Sequence, residues 1–284
     1  MIPDKYKHIR RQFLQNLTTD LNIKPKKVSK TIKILNGGGN STIKYYKHNE
    51  DKEEYTFKLL IEDDNEQIQI TSLNFNKDDQ CIMILIYKDS NDAILQNLTY
   101  DSGCTLEGLK TPKGGNVLMN FMIKYLTAKK TIYNINRIIL TDISFLLCDN
   151  CEFNLKLARL RAFTHNGITY YMKFGFKPLN PITNKPDTYK LNEIINNNER
   201  LKKLSVKDID IIGIVNKIDK NLLPEIKQIM SEYPLLKHFI IKLISNKNKY
   251  CCIIEHTMNR IFNPDVGYVK LLTDFYRQTY YLDI

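Results

Sequence analysis

The feature that most constrains the fold is a run of five strand-like segments between Thr42 and Thr99. The segments are rich in Ile, Tyr, Thr and Phe, and they read TIKYYK, EYTFKLLIE, EQIQITSLNF, QCIMILIYK and DAILQNLTY. Short clusters of Asn, Asp, Ser and Glu separate them, such as HNEDKE and DSND. Such short polar clusters join neighbouring strands as hairpins, so the pattern predicts an antiparallel meander.

After the meander, helix and strand patterns alternate. A glycine-containing loop at 101–115 precedes NVLMNFMIKYLTAKK, in which Val117, Phe121 and Tyr125 recur at helical spacing. NRIILTDIS is typical of a strand, and EFNLKLARLRAFTHNG of a helix that ends at its Asn-Gly pair. ITYYMKFGFKP then predicts a further strand. Several antiparallel strands followed by helix, strand, helix and strand predict a mixed α/β fold.

Glycine and proline divide the chain into three predicted parts. Three successive glycines in LNGGGNST end a basic N-terminal helical extension, residues 1–40. The prolines of LNPITNKPDTYK end a central α/β domain, residues 41–180. Residues 181–284 are predicted to form a mostly helical domain. The predicted helices there cover 190–204, 206–219, 222–232, 234–246 and a stretch near 265–280.

The chain has a formal net charge of +11 at pH 7, part of it concentrated in residues 1–30. This charge permits attraction to nucleic acid, acidic lipid or an anionic cofactor, and a solvated basic surface is the interpretation we favour. No apolar run approaches the roughly 18 residues that cross a bilayer, and the N-terminus lacks the apolar core of a secretory signal. We therefore expect an intracellular, cytoplasmic protein without a membrane partner, whose six cysteines are thiols.

Four stretches at the joints of this pattern resemble the GCN5-related N-acetyltransferase family: AILQNLTYDSGC, LKTPKGGN, IILTDIS and TYYMKFGFKP. The last is the most specific, because an aromatic pair followed by Lys-x-Gly-Phe commonly ends the CoA-binding half of this family. The similarity covers about residues 41–179 and looks closest to divergent acetyltransferase-like proteins of large DNA viruses. It implies a mixed, mostly antiparallel twisted sheet flanked by helices, with the helical C-terminal domain as an addition.

The resemblance implies that acetyl-CoA is the cofactor. In the family, the strand before the glycine loop splays from its neighbour and pairs with the pantetheine arm, which assigns that contact to Leu98, Thr99 and Tyr100. A backbone N–H near Leu98 or Tyr100 is then expected to stabilise the oxyanion. The loop departs from the family pattern Gln/Arg-x-x-Gly-x-Gly/Ala in either register. The residues assigned to the phosphates are Lys110, Lys113, Gly114, Gly115 and Asn116.

The same resemblance implies direct attack of a substrate amine on the acetyl thioester. Tyr171, two residues before Lys173, stands at the position of the family's acid, which protonates the departing thiolate. Glu107, Asp142 and Asp101 are the candidate bases. A buried core aromatic is the alternative reading of Tyr171, and the sequence leaves both open.

The cysteines contain one C-x-x-C pair, Cys148 and Cys151. Without a second matching pair it is a weak zinc signal, although Cys251, Cys252 and His256 could complete a site. Buried or surface thiols are the interpretation we favour, with no bound metal.

Taken together, these patterns predict an acetyl-CoA-dependent N-acetyltransferase that acts on a small-molecule or protein amine. The alternative is an acetyltransferase-like fold without catalysis, which serves as a binding or structural module. Nucleic acid is one candidate partner for such a module. A fold by itself does not decide between these functions.

Overall fold

The computed structural model describes residues 33–34, 41–50, 53–62, 67–72, 81–87, 89–98, 114–148, 151, 154–263 and 277–284. They fall into two compact units: Met1–Thr141 with Tyr281–Ile284, and Asp142–Tyr280. The boundary at Asp142 lies inside the range 41–180 that the sequence analysis assigns to one domain. The predicted helical extension lies outside the described residues, apart from the short strand β1, Lys33–Ile34.

The first unit contains a sheet whose strands follow one another in space in the order of the sequence. After β1 come β2 (Ser41–Glu50), β3 (Glu53–Glu62), β4 (Gln67–Ser72), β5 (Ile82–Tyr87) and β6 (Asp92–Leu98). Each neighbouring pair is antiparallel, so the predicted meander is confirmed. Along β3, Phe57, Leu59 and Ile61 are buried and the residues between them are not, because alternate side chains of a strand face opposite sides.

A helix covers the buried face of this sheet. β6 is followed by α1 (Gly114–Tyr133) and β7 (Arg137–Asp142), and β6 and β7 pair in parallel, which requires a crossover such as α1. Phe121 of α1 stacks on Phe57 of β3 with ring centroids 4.3 Å apart. Burial of an aromatic side chain of this size contributes about 1.5–3 kcal/mol. Residues 281–283 of the last strand, β12 (Gln278–Asp283), lie next to β7.

Over the described residues, the second unit holds the other α-helices and two short pieces of sheet. Its helices are α2 (Leu157–Thr164), α3 (Thr188–Leu201), α4 (Ile211–Ile218), α5 (Leu223–Glu232), α6 (Leu236–Ile244) and α7 (Lys247–Phe262). β8 (Phe145–Leu146) and β9 (Leu155–Lys156) form a hairpin. β10 (Lys177–Asn180) pairs with β11 (Lys185–Pro186) and lies next to residues 278–280 of β12. Both α4 and α6 pack on α7.

Four helices predicted for residues 181–284 are present with shifted ends. α4 begins at Ile211 rather than at 206, because the Asp210 side chain caps it and accepts a hydrogen bond from the Gly213 N–H at 2.9 Å. The stretch 247–262, which the sequence analysis did not assign, is helix α7. The last predicted helix lies largely outside the described residues, and its final residues begin strand β12. In the described part of the chain, no helix has the length and apolar character that a membrane span requires.

Candidate functional site

The parallel strands β6 and β7 separate before they end. Their register runs from Asp92 opposite Arg137 to Leu95 opposite Leu140, yet β6 continues to Leu98 and β7 also continues past Leu140. Over the described residues, these two extensions are not paired with each other. Backbone N–H and C=O groups in a sheet need hydrogen-bond partners. The part of β6 after Leu95 is therefore open, on its β7 side, to a partner other than β7.

A bulge lies at the same point of β6. On the β5 side, Ile84 is opposite Leu95 and Met83 is opposite Asn97, so Gln96 is the extra residue. A bulge bends the strand that contains it and increases its local twist. Because the bend coincides with the last paired residue of β6 and β7, it gives a physical cause for the separation of the two strands.

The N-terminus of α1 lies at the same edge of the first unit. In a strand–helix–strand crossover, the helix begins where the carboxyl ends of the two parallel strands lie. α1 begins at Gly114, two residues before the predicted start, so Gly114, Gly115 and Asn116 form its first turn. The N–H groups of a first turn lack partners within the helix and carry the positive end of the helix dipole. This first turn contains no acidic residue.

The predicted cofactor contacts are described only in part. Leu98 lies at the end of β6, and residues 114–116 lie at the start of α1, both in the first unit. The crossover thus brings these predicted contacts to one edge of the sheet. The predicted site residues that lie outside the described residues are Thr99, Tyr100, Asp101, Glu107, Lys110 and Lys113.

Asp142, the first residue of the second unit, is fully buried. Its Oδ1 accepts hydrogen bonds from the Ser144 N–H at 3.0 Å and from the Ser144 hydroxyl at 2.5 Å. Its Oδ2 has no hydrogen-bond partner within the described residues. Burial raises the pKa of the Asp142 carboxyl, and the two hydrogen bonds from Ser144 oppose that rise. A carboxyl with a raised pKa accepts a proton more readily, which is the property that a general base needs.

Tyr171 belongs to the same buried cluster of the second unit. It is 9% exposed, and its ring centroid lies 5.3 Å from that of Tyr170 and 6.2 Å from that of Tyr280. Burial, with a smaller contribution from the negative charge of Asp142, raises the pKa of the Tyr171 hydroxyl. The hydroxyl therefore stays protonated and can act only as a neutral donor or acceptor. This environment agrees with a core aromatic, and the raised pKa makes proton donation by the hydroxyl harder.

The backbone around Tyr171 differs from the prediction. The sequence predicts one continuous strand over ITYYMKFGFKP, but Tyr171–Phe174 form a 3₁₀ helix and β10 begins only at Lys177. Gly175 ends this helix with φ at 91°, a left-handed conformation that glycine adopts without strain. Its N–H donates to the Met172 carbonyl oxygen at 3.1 Å. Gly175 thus ends a short helix and does not lie within the predicted strand.

Two disulfides join the C-x-x-C turn to α7. Cys148 pairs with Cys251, and Cys151 pairs with Cys252. Cys81 is also disulfide-bonded, and no free cysteine occurs among the described residues. The expectation of thiols is therefore wrong, and in this state these sulfurs are not thiolate ligands for zinc. The signal that the sequence analysis missed is the adjacent cysteine pair on one helix, which offers two sulfurs to the two cysteines of a single turn.

A comparison of the chain with known protein families, with curated proteins and with solved structures finds no match.

Proposed function

We propose that the chain is an N-acetyltransferase that takes its acetyl group from acetyl-CoA and transfers it to an amine. The observation that carries the proposal is the separation of β6 and β7 after Leu95 and Leu140. It lies at the edge where α1 begins with residues 114–116. A mostly antiparallel sheet with one parallel pair that opens is the architecture expected of the GCN5-related family, and membership of that family is part of the proposal.

The residues at this edge fit the chemistry of CoA. The pantetheine arm carries amides that donate and accept hydrogen bonds, and the open backbone of residues 96–98 offers matching groups. The pyrophosphate is anionic, which the first-turn N–H groups of α1 favour. Gly114 and Gly115 have no side chains, so a phosphate can approach the backbone closely. Lys110 and Lys113 are expected to add positive charge.

Bound acetyl-CoA supplies an acetyl group activated as a thioester. A backbone N–H near Leu98 is expected to hold the carbonyl oxygen where negative charge develops. The resemblance gives Asp142 the role of the base and Tyr171 the role of the acid. The raised pKa of the Asp142 carboxyl supports a base, whereas the raised pKa of the Tyr171 hydroxyl opposes proton donation. Glu107 and Asp101 remain further candidate bases.

An isosteric charge change tests the cofactor site. Asn116→Asp keeps the size of the side chain and favours the helix N-terminus, but it places a negative charge beside the proposed phosphate position. We expect acetyl-CoA affinity, measured by calorimetry, to fall at least about tenfold. Asn246→Asp makes the same change at the exposed N-terminus of α7 and should leave the affinity unchanged. Equal affinities of both variants and the wild-type protein would contradict the proposed site.

Release of the CoA thiol in the presence of small polyamines and lysine-containing peptides tests the reaction itself. Turnover that requires an amine supports the acetyltransferase. Acetyl-CoA binding without turnover on any amine would instead support the catalytically inactive module.

A further inference from the structure

One of the two disulfides in the second unit opens onto a cavity of about 370 Å³. Cys151 and Cys252 both line this cavity, together with residues of α4 and α7. Neither Cys148 nor Cys251 lines it. The cavity lies within Asp142–Tyr280, so a single compact unit contains the whole site.

The two disulfides differ in access to solvent. Cys148 and Cys251 are 8% and 5% exposed, whereas Cys151 and Cys252 are half-buried. Thiol–disulfide exchange begins when a thiolate reaches one of the two sulfurs, so its rate depends on access. The Cys151–Cys252 disulfide is therefore the one of the two that an external thiol can attack in the folded protein.

Among the described residues, the cavity lining has more positive than negative side chains. Cys252, His256 and Arg260 recur every four residues along α7 and lie on one face of that helix, and Lys217 faces the same cavity from α4. Over the described residues, Lys217 and Arg260 form no ion pair or hydrogen bond. In the described lining, Asp210 is the one opposing charge, and its carboxylate accepts the capping hydrogen bond from the Gly213 N–H.

The buried carboxylate of Glu255 is also close to this face of α7. It lies 3.9 Å from the His256 Nε2 and accepts a hydrogen bond from the Asn259 side chain. Glu255 is not among the lining residues, so in the described lining the charges of Lys217 and Arg260 exceed the single negative charge of Asp210. A cavity with this balance of charge attracts an anionic molecule.

We infer that the Cys151–Cys252 disulfide is an exchange site for a small anionic thiol. The thiolate of that molecule attacks one sulfur of the disulfide, forms a mixed disulfide and releases the other cysteine as a thiolate. A second molecule of the thiol then attacks the mixed disulfide, which yields the oxidised small molecule and two reduced protein cysteines. Two thiols thus supply the two electrons. Lys217 and Arg260 bind the carboxylates of the thiol and stabilise the released thiolate.

The second disulfide preserves the fold during this exchange. Cys148 and Cys251 tie the same turn to the same helix, so opening the Cys151–Cys252 disulfide leaves the turn attached to α7. The exchange therefore changes the chemistry of the cavity without releasing α7.

The test compares the reduction of the folded protein by glutathione, which is anionic, and by cysteamine, which is cationic, at equal thiolate concentrations. Alkylation and peptide mass spectrometry follow each cysteine. We expect Cys151 and Cys252 to be labelled before Cys148 and Cys251. For each disulfide, the rate with glutathione is divided by the rate with cysteamine. This ratio should be about tenfold higher for the Cys151–Cys252 disulfide than for a disulfide in a short unfolded peptide.

Paired variants separate the role of the cavity from that of overall charge. Lys217→Gln combined with Arg260→Gln should remove the preference for glutathione, whereas Lys227→Gln combined with Lys242→Gln, at exposed sites outside the cavity, should preserve it. If the first pair does not fold, added sodium chloride should remove the preference in the wild-type protein. Simultaneous labelling of all four cysteines, or equal rates with the two thiols, would overturn the inference.

Discussion

Arg137 and Asp92 face each other across β6 and β7 and form two parallel hydrogen bonds. The Arg137 Nε donates to Oδ1 at 2.9 Å, and an Nη donates to Oδ2 at 3.0 Å. These residues are the first pair of the parallel register, at the end away from the separation that follows Leu95. The ion pair therefore holds the two strands together at one end, while the bulge at Gln96 bends β6 at the other.

Removing the arginine should destabilise the protein strongly. Arg137→Met keeps an unbranched apolar side chain but leaves the carboxylate of Asp92, which is 3% exposed, without its charged partner. Loss of one member of a buried ion pair costs about 3–5 kcal/mol, and urea unfolding should show a decrease of that size. Arg200→Met, at an exposed position of α3, is the control and should change stability by less than about 0.5 kcal/mol. Similar losses for both variants would show that the pair does not hold the strands.

The raised pKa of Asp142 makes a prediction about pH. The folded protein keeps a proton on Asp142 at pH values where the unfolded chain has lost it, so this group favours folding at low pH. That contribution is lost as the pH rises through the folded-state pKa. Asp142→Asn retains an oxygen that accepts from Ser144, but its amide does not titrate. The unfolding free energy of the variant relative to that of the wild-type protein should therefore increase from about pH 4 upward.

Chemical unfolding over a series of pH values measures this difference. Asp89→Asn, at an exposed turn, is the control and should run parallel to the wild-type protein. If the difference in unfolding free energy between Asp142→Asn and the wild-type protein does not change with pH, the Asp142 carboxyl has the same pKa in the folded and unfolded states, which would contradict the prediction.

Removal of one hydroxyl tests the role of Tyr171 in the proposed reaction. Tyr171→Phe preserves the ring contacts with Tyr170 and Tyr280, so we expect only a small change in melting temperature. If the hydroxyl is the acid, turnover in the CoA thiol assay should fall by about 10²–10⁴-fold. Tyr87→Phe, at an exposed site, should retain full turnover. If Tyr171→Phe turns over as fast as the wild-type protein, Tyr171 serves only to pack the buried core.

The cap of α4 depends on a glycine. A Cβ at residue 213 would collide with the Asp210 carboxylate that caps the helix. Gly213→Ala should therefore displace the cap and cost about 0.5–2 kcal/mol, the loss also expected for Asp210→Ala. The two changes remove the same interaction, so the double variant should lose much less than their sum in thermal unfolding. Additive losses would show that the two residues act separately.

The periodic spacing of apolar residues makes much of the first unit predictable from the sequence. The alternation of TIKYYK and EYTFKLLIE with short polar turns predicts paired antiparallel strands, and β2 and β3 are such a pair. The helical spacing of Val117, Phe121 and Tyr125 predicts the buried face of α1, where all three residues are buried. These features depend on local period and burial, which a sequence displays directly.

Features that depend on distant or single residues were not predictable in the same way. The pairing of Cys148 with Cys251 joins residues separated by 103 positions, and no local pattern specifies it. Near Tyr171, aromatic residues suit a strand as well as a short helix, and the left-handed Gly175 decides between them. The bulge at Gln96 arises from the pairing of β6 with β5, so the open edge was expected only from the resemblance.

Amide hydrogen exchange with and without acetyl-CoA shows whether the open edge of β6 and the first turn of α1 hold the cofactor. Acetyl-CoA should slow exchange in peptides that contain residues 96–98 and 114–116, while the β2–β3 hairpin exchanges as before. Unchanged exchange in both peptides, at a concentration of acetyl-CoA that saturates any binding, would contradict the proposed cofactor site.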